Sequence, residues 1–164
     1  MLLRLFKIKE MNVLIKVSGD AKSIPLVEGF IRSEAEKKER HVVVLVGGGT
    51  EISRQLKSAG YPVAFNETFQ PPRRITRTRQ EKLIVQGVLA DEVTDWQTRL
   101  ADMPNIKIIS PFQDIGGVLC NVNGDDFVKM CCTEFDEVIV VTRSDRVDAK
   151  QALFANFPVR LIHF

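Results

Sequence analysis

An unbroken apolar run, Val42-Val-Val-Leu-Val46, passes straight into Gly47-Gly48-Gly49 and a helix start at Thr50. A strand without polar alternation must be covered on both faces, which calls for a mostly parallel sheet with helices on either side. Glycines at its carboxyl end let the backbone approach another group closely, and the helix that follows offers N–H groups suited to an anion. A second junction of the same kind lies upstream, Asn12-Val-Leu-Ile-Lys16-Val-Ser18-Gly19-Asp20, with a lysine near the strand end. Neither junction matches the P-loop or dinucleotide fingerprint.

The rest of the chain continues the alternation. Strands are expected at 12–17, 41–46, 106–110, 118–121, 137–142 and 159–164, and helices at 22–39, 50–59, 76–101, 125–133 and 146–156. Gly60 terminates the second helix, a break point falls near Asp91 in the third, and Gly116-Gly117 turn the chain toward the strand at 118–121. The stretch 61–73 reads as irregular, because Pro62, Pro71 and Pro72 bar regular helix. The expected architecture is α/β, a three-layer sandwich in one domain over residues 1–164. Ligands in such folds sit beyond the carboxyl ends of the strands, where both glycine turns lie.

Composition narrows the partners. Of the 164 residues 45% are hydrophobic and 27% charged, with a formal net charge of +2, which describes an ordinary globular chain and argues against nucleic acid. The one basic cluster, Arg73 to Arg79, has four arginines in seven residues and no interleaved aromatics. No apolar run is long enough to span a bilayer. The first ten residues lack a signal-peptide cleavage pattern, and Met11 could serve as the start, which makes 1–10 a candidate extension. Three cysteines, two of them adjacent, form neither a disulfide framework nor a zinc spacing, so a cytoplasmic location is expected.

Three places could carry chemistry. Lys16 in a buried strand needs a partner or an exit to the sheet edge. It reads either as a cation for a phosphoryl group in flight or as a lysine snorkelling from a strand end. Asn121-Val-Asn-Gly-Asp125-Asp126 opens a helix, so Asn123 or Asp125 serves as a cap, while a carboxylate there could also orient Lys16 or help hold magnesium. Arg74 offers a fork of donors for a carboxylate, or belongs to a solvated surface. His41 and His163 have no triad or metal companion, and the cysteines and Trp96 read as packing.

In this order the motifs resemble those of the amino acid kinase family, which includes acetylglutamate kinase, aspartokinase, carbamate kinase and bacterial uridylate kinase. Lys16-Val-Ser18-Gly19 is similar to the family's K-x-[GS]-G, and Val46 to Ile52 to its second glycine loop, with a Thr-Glu-Ile tail leaning toward acetylglutamate kinase. Arg74-Ile75-Thr76 resembles R-V-T, and Asn121-Val-Asn123-Gly-Asp125 resembles N-[IV]-N-A-D. Ile109-Ser-Pro111 and Val138 to Thr142 fall in the corresponding order, so the resemblance spans about residues 12–147.

The resemblance implies an ATP- and Mg2+-dependent kinase of a small acidic substrate, a carboxylate or phosphate acceptor, working as a homo-oligomer without nucleic-acid or membrane partners. Lys16 would stabilise the transferred phosphoryl group and Asp125 would orient that lysine. Gly19, Gly47, Gly48 and Gly49 would cradle phosphate, and Arg74 and Asn121 would hold the acceptor. No protein metal ligand is implied. The alternative is a degenerate, non-catalytic relative that binds a nucleotide, phosphate or acidic metabolite as a regulatory or structural subunit.

Departures define a shortened form. The segment between the Arg74 helix and strand 106–110 is cut down, and the family's T-D-x-x-G-V reads Thr142-Arg-Ser-Asp-Arg-Val147. The sequence ends at Phe164, before the family's nucleotide lid and second catalytic lysine. Lys129 and Lys150 lie outside any matching motif, and Arg143 and Arg146 are further candidates for the missing positive charge.

Overall fold

The apolar run at 42–46 forms the second strand of a five-stranded, all-parallel sheet. This computed structural model describes residues 10–69 and 72–164, so most of the candidate extension at 1–10, and Pro71, lie outside the described residues. The sheet comprises β1 (Met11–Val17), β2 (Arg40–Val46), β5 (Ile106–Ile109), β8 (Glu137–Thr142) and β9 (Arg160–His163), in the order β5-β2-β1-β8-β9.

Burial on both faces explains the lack of alternation. Val13, Ile15 and Val17 of β1 pack with Val27 and Ile31 of α1 (Pro25–Ala35) and Trp96 of α3 (Arg79–Arg99). Leu14 faces the other way, with Val128 of α4 (Gly124–Cys131) and Phe154 of α5 (Val147–Phe154). Helices therefore cover both faces, as the sequence pattern requires. The remaining helix, α2 (Gly49–Ser58), packs Ile52 and Leu56 against Val85, Val88 and Leu89 of α3. No helix among the described residues is long and apolar enough to cross a membrane.

Several boundaries differ from expectation, each for a local reason. The first helix begins at Pro25, whose fixed φ suits the first helical position, and not at residue 22. It stops at Ala35, and the charged run beyond it turns through Glu39 at φ 62° into β2. The 61–73 stretch is not irregular throughout. It holds β3 (Ala64–Asn66) and runs into β4 (Arg73–Ile75), an antiparallel pair too short to show a period.

Arg74 therefore lies in a strand, and α3 starts later, at Arg79, where Thr78 and Glu81 form a reciprocal capping box. That helix runs unbroken past Asp91, which is exposed, while Val85, Val88, Leu89 and Trp96 anchor the opposite side. A strand unforeseen in the sequence, β6 (Phe112–Ile115), pairs with β7 (Val118–Asn121). Gly116 and Gly117, at φ 61° and 85°, make the two-residue turn between them.

Strand order places the site. The chain moves from β1 outward through β2 to β5, then returns to β8 on the other side of β1. The carboxyl end of β1, where Lys16 lies, is thus the point at which the winding reverses, the usual crevice of an open parallel sheet.

Candidate functional site

Lys16 is the sixth residue of β1, and its side chain stands on the same face of the sheet as Leu14. It is only 6% exposed, so its ammonium needs partners close by. Its Nζ donates to Ser18 Oγ at 3.0 Å and stands 3.0 Å from Asp125 Oδ1. That second contact is a buried ion pair. Asn123 caps α4 by accepting from the Asp125 backbone N–H at 2.8 Å, which fixes the carboxylate over Lys16.

Lys150, on α5, donates to the other carboxylate oxygen, Asp125 Oδ2. Two ammoniums therefore share one buried carboxylate. Burial pushes the Lys16 ammonium below its ordinary value; Asp125 opposes this, while Lys150 and Arg146 add to it by repulsion. Burial alone would raise the Asp125 carboxyl, but Lys16 and Lys150 more than offset it and hold it below its ordinary value.

This triad opens on a cavity of about 490 Å³, bounded by both glycine turns, the Asn121–Asp125 segment and the β3–β4 hairpin. The glycine turns touch backbone to backbone. A Cβ on Gly19 would lie 2.5 Å from the Gly47 carbonyl oxygen and 2.8 Å from the Gly49 nitrogen. Gly49, at φ +22°, starts α2, so the amino end of that helix meets the cavity at Gly49. Asp20 ties the junctions together: Oδ1 accepts from Thr50 Oγ1 at 2.6 Å, and Oδ2 pairs with Arg146 at 3.0 Å. Gly19→Ala should force these turns apart at a cost of about 1–3 kcal/mol, read as a fall of roughly 3–10 °C in thermal unfolding.

The structure brings together the site residues that the resemblance implies: Lys16, Gly19, Gly47, Gly48, Gly49, Arg74, Asn121 and Asp125 all line this cavity. Arg74, expected to hold the acceptor, also has a role inside the protein. Its Nη2 donates to the Gly49 carbonyl at 2.8 Å and to Ser53 Oγ at 2.7 Å, buttressing the second glycine turn, while its Nε has no partner. No carboxylate among the described residues pairs with it, and burial alone lowers its pKa.

Sequence reasoning assigned no role to Asp20 and had no motif for Lys150. The lysine enters the site through the placement of α5 beside α4, a tertiary fact with no local signature. Arg146 also lines the cavity, whereas Arg143 pairs with Asp145, and Lys129 lies over the Phe157 ring. Five cationic side chains line the cavity (Lys16, Arg73, Arg74, Arg146 and Lys150) against two carboxylates, Asp20 and Asp125. No group of three or more His, Cys, Asp or Glu residues able to hold a metal ion occurs among the described residues.

No family model matches the sequence, and no curated protein matches it. Among solved structures, the fold is similar to the crystal structure of smu.665 from Streptococcus mutans UA159, at 15% sequence identity and a TM-score of 0.64. The match covers 80% of this chain and 72% of that one. At that identity the likeness concerns the arrangement of strands and helices alone.

Proposed function

We propose that the chain is a small-molecule kinase with an amino acid kinase-like fold, transferring the γ-phosphoryl group of ATP to an anionic oxygen. The observation that carries this reading is the buried Lys16–Asp125–Lys150 arrangement facing two touching glycine turns. Phosphoryl transfer is catalysed by positioning and by charge, and these elements supply both. The two ammoniums flank the phosphoryl group, Asp125 sets their separation, and the glycine turns with the α2 amino terminus hold the phosphates. Lys150, from outside any matching motif, takes the place of the family's second lysine.

The acceptor class follows from what the cavity lacks. Among the described residues lining it there is no His, Cys or Tyr. Both lining carboxylates are held below their ordinary pKa: burial would raise each, but Thr50 and Arg146 offset it at Asp20, and the lysines at Asp125. Neither makes an effective base. The acceptor must then arrive as an oxyanion, a carboxylate or phosphate, whose lone pair forms the new P–O bond. The bond from the γ-phosphorus to the bridging oxygen breaks, its electron pair leaves on ADP, and no proton moves.

Both carboxylates are already engaged, so Mg2+ enters with the nucleotide's phosphates rather than in a protein cage. When bound it supplies neutralisation of the triphosphate charge. ADP release from Mg-ATP is the test. Release that depends on a carboxylate or phosphate acceptor, and not on an alcohol, supports the kinase.

A second reading, a non-catalytic binder, draws on Arg74, whose Nη2 is spent inside the protein. A thermal shift with ATP or phosphate but no ADP release with any acceptor supports it.

A further inference from the structure

The two ends of the cavity differ in chemistry. On the β8 side of β1 stand Lys150, a member of the triad, and Arg146, paired with Asp20. On the β2 side stands the β3–β4 hairpin with Phe65 and Phe69, which are 44% and 38% exposed although they line the cavity. Aromatic rings left half-exposed at a cavity wall are surface held ready for an apolar group. Two guanidinium groups lie against them: Arg73 is 3.8 Å from the centre of the Phe69 ring, and Arg74 is 5.6 Å from that of Phe65.

The same end has no unpaired lining carboxylate to receive an ammonium group, and its ring faces already carry guanidinium groups. Asp126, the carboxylate nearest the hairpin's cations, is paired with Arg73 Nε at 2.7 Å, and Asp20 and Asp125 are both held by cations. Arg74 is a guanidinium whose hydrogen-bond acceptors are neutral oxygens. A half-buried cation without a counter-ion is costly, and a ligand anion would complete it.

We infer that the phosphoryl acceptor is an oxyanion on an apolar body lacking an amino group, its body lying against Phe65 and Phe69 and its negative end near Arg74. This rests on the kinase reading above and deepens it. A free amino acid would bring an ammonium group into an end already rich in guanidinium. An apolar carboxylate or phosphate monoester meets rings on one side and cations on the other. The transfer balances as before: the acceptor oxyanion gains the P–O bond, ADP leaves with the electron pair, and the product is an acyl phosphate or a diphosphate monoester.

The experiment is ADP release from Mg-ATP by the full chain with three sets of acceptors, beside Phe65→Ala and Phe69→Ala. The sets are phenyl and butyl phosphate, phenylacetate and hexanoate, and glutamate and aspartate. The expected result is turnover with the phosphates or the apolar carboxylates, the preferred set naming the oxyanion, and kcat/KM for the amino acids at least tenfold lower. Each phenylalanine variant should raise the acceptor KM about tenfold and leave the KM for Mg-ATP unchanged. Turnover best with glutamate or aspartate overturns the inference and leaves the kinase reading standing. So does a rise in the Mg-ATP KM instead of the acceptor KM, which would make the rings a nucleotide platform. Absence of ADP release with every acceptor overturns the kinase reading itself, and the inference with it.

Discussion

Lys16→Ala should lower the rate of ADP formation by about 10²–10³-fold, the usual loss when one charge-stabilising donor is removed from a reacting centre. The protein should stay folded, because the substitution removes a buried charge and Asp125 keeps Lys150 as its partner. Arginine should not restore the rate. The ammonium sits as a compact point charge between Ser18 Oγ and Asp125 Oδ1, each at 3.0 Å, and a larger planar guanidinium does not reproduce that geometry.

The same site fixes the pH dependence. Burial first, then repulsion from Lys150 and Arg146, draws the Lys16 pKa below the ordinary lysine value, and Asp125 only partly restores it. The protonated form is the active one, so turnover should fall with rising pH on a limb that lies below the ordinary lysine range. Lys150→Ala removes one of the repelling charges and should move the limb upward, measured on whatever activity remains. A limb that stays in place in this variant would show that the titrating group is not Lys16. Steady-state rates across the alkaline range, with thermal unfolding of each variant as the control for folding, make the measurement.

Sequence carries the sheet and half of the site, and the division has a physical basis. Strands buried on both faces cannot be mistaken for amphipathic elements, so β1, β2 and β8 are legible to within one residue at each end. Lys16 stands out because a lysine in such a strand is costly, and the glycine turns because only close approach demands them. Lys150 and the β3–β4 hairpin stay hidden for the opposite reason. Lys150 sits in a short helix where a lysine is ordinary, and its meaning comes from Asp125, 25 residues away in sequence. The three-residue strands around Phe65 and Arg74 are too short for a period, and flanking prolines obscure them. Arg74 was legible as a residue of the site, but its bond to the Gly49 carbonyl depends on how the hairpin folds over α2.

A glutamate that no motif marks should govern stability more than any residue of the cavity. Glu34, on α1, is 3% exposed. It accepts from Lys37 Nζ at 2.7 Å, from Arg160 Nη2 at 3.2 Å and from Arg40 Nη1. Arg40 and Arg160 also pair with Glu137, each at 2.8 Å, so the network clamps α1 to the amino ends of β2, β8 and β9. Glu34→Ala leaves these cations short of a counter-charge at a cost of about 3 kcal/mol. That is the lower end for a broken buried pair, because Lys37 and Arg160 are half-exposed and regain water. Thermal unfolding should fall by roughly 6–12 °C, with kcat unchanged, since the network lies at the amino ends of the strands and Lys16 at the carboxyl end of β1.

Acid should erase this advantage. Burial would raise the Glu34 carboxyl, but hydrogen bonds from Lys37 and Arg160 and the charge of Arg40 more than offset it, leaving its pKa below the ordinary value. A carboxyl depressed in the folded state stabilises fully above its unfolded pKa and loses that contribution as pH falls through the folded one. The stability gap between the wild type and Glu34→Gln should therefore be widest near neutrality and shrink steadily through the acidic range. Denaturant unfolding at a series of pH values reads the gap directly, and a gap independent of pH would show that packing, and not charge, holds α1 to the sheet.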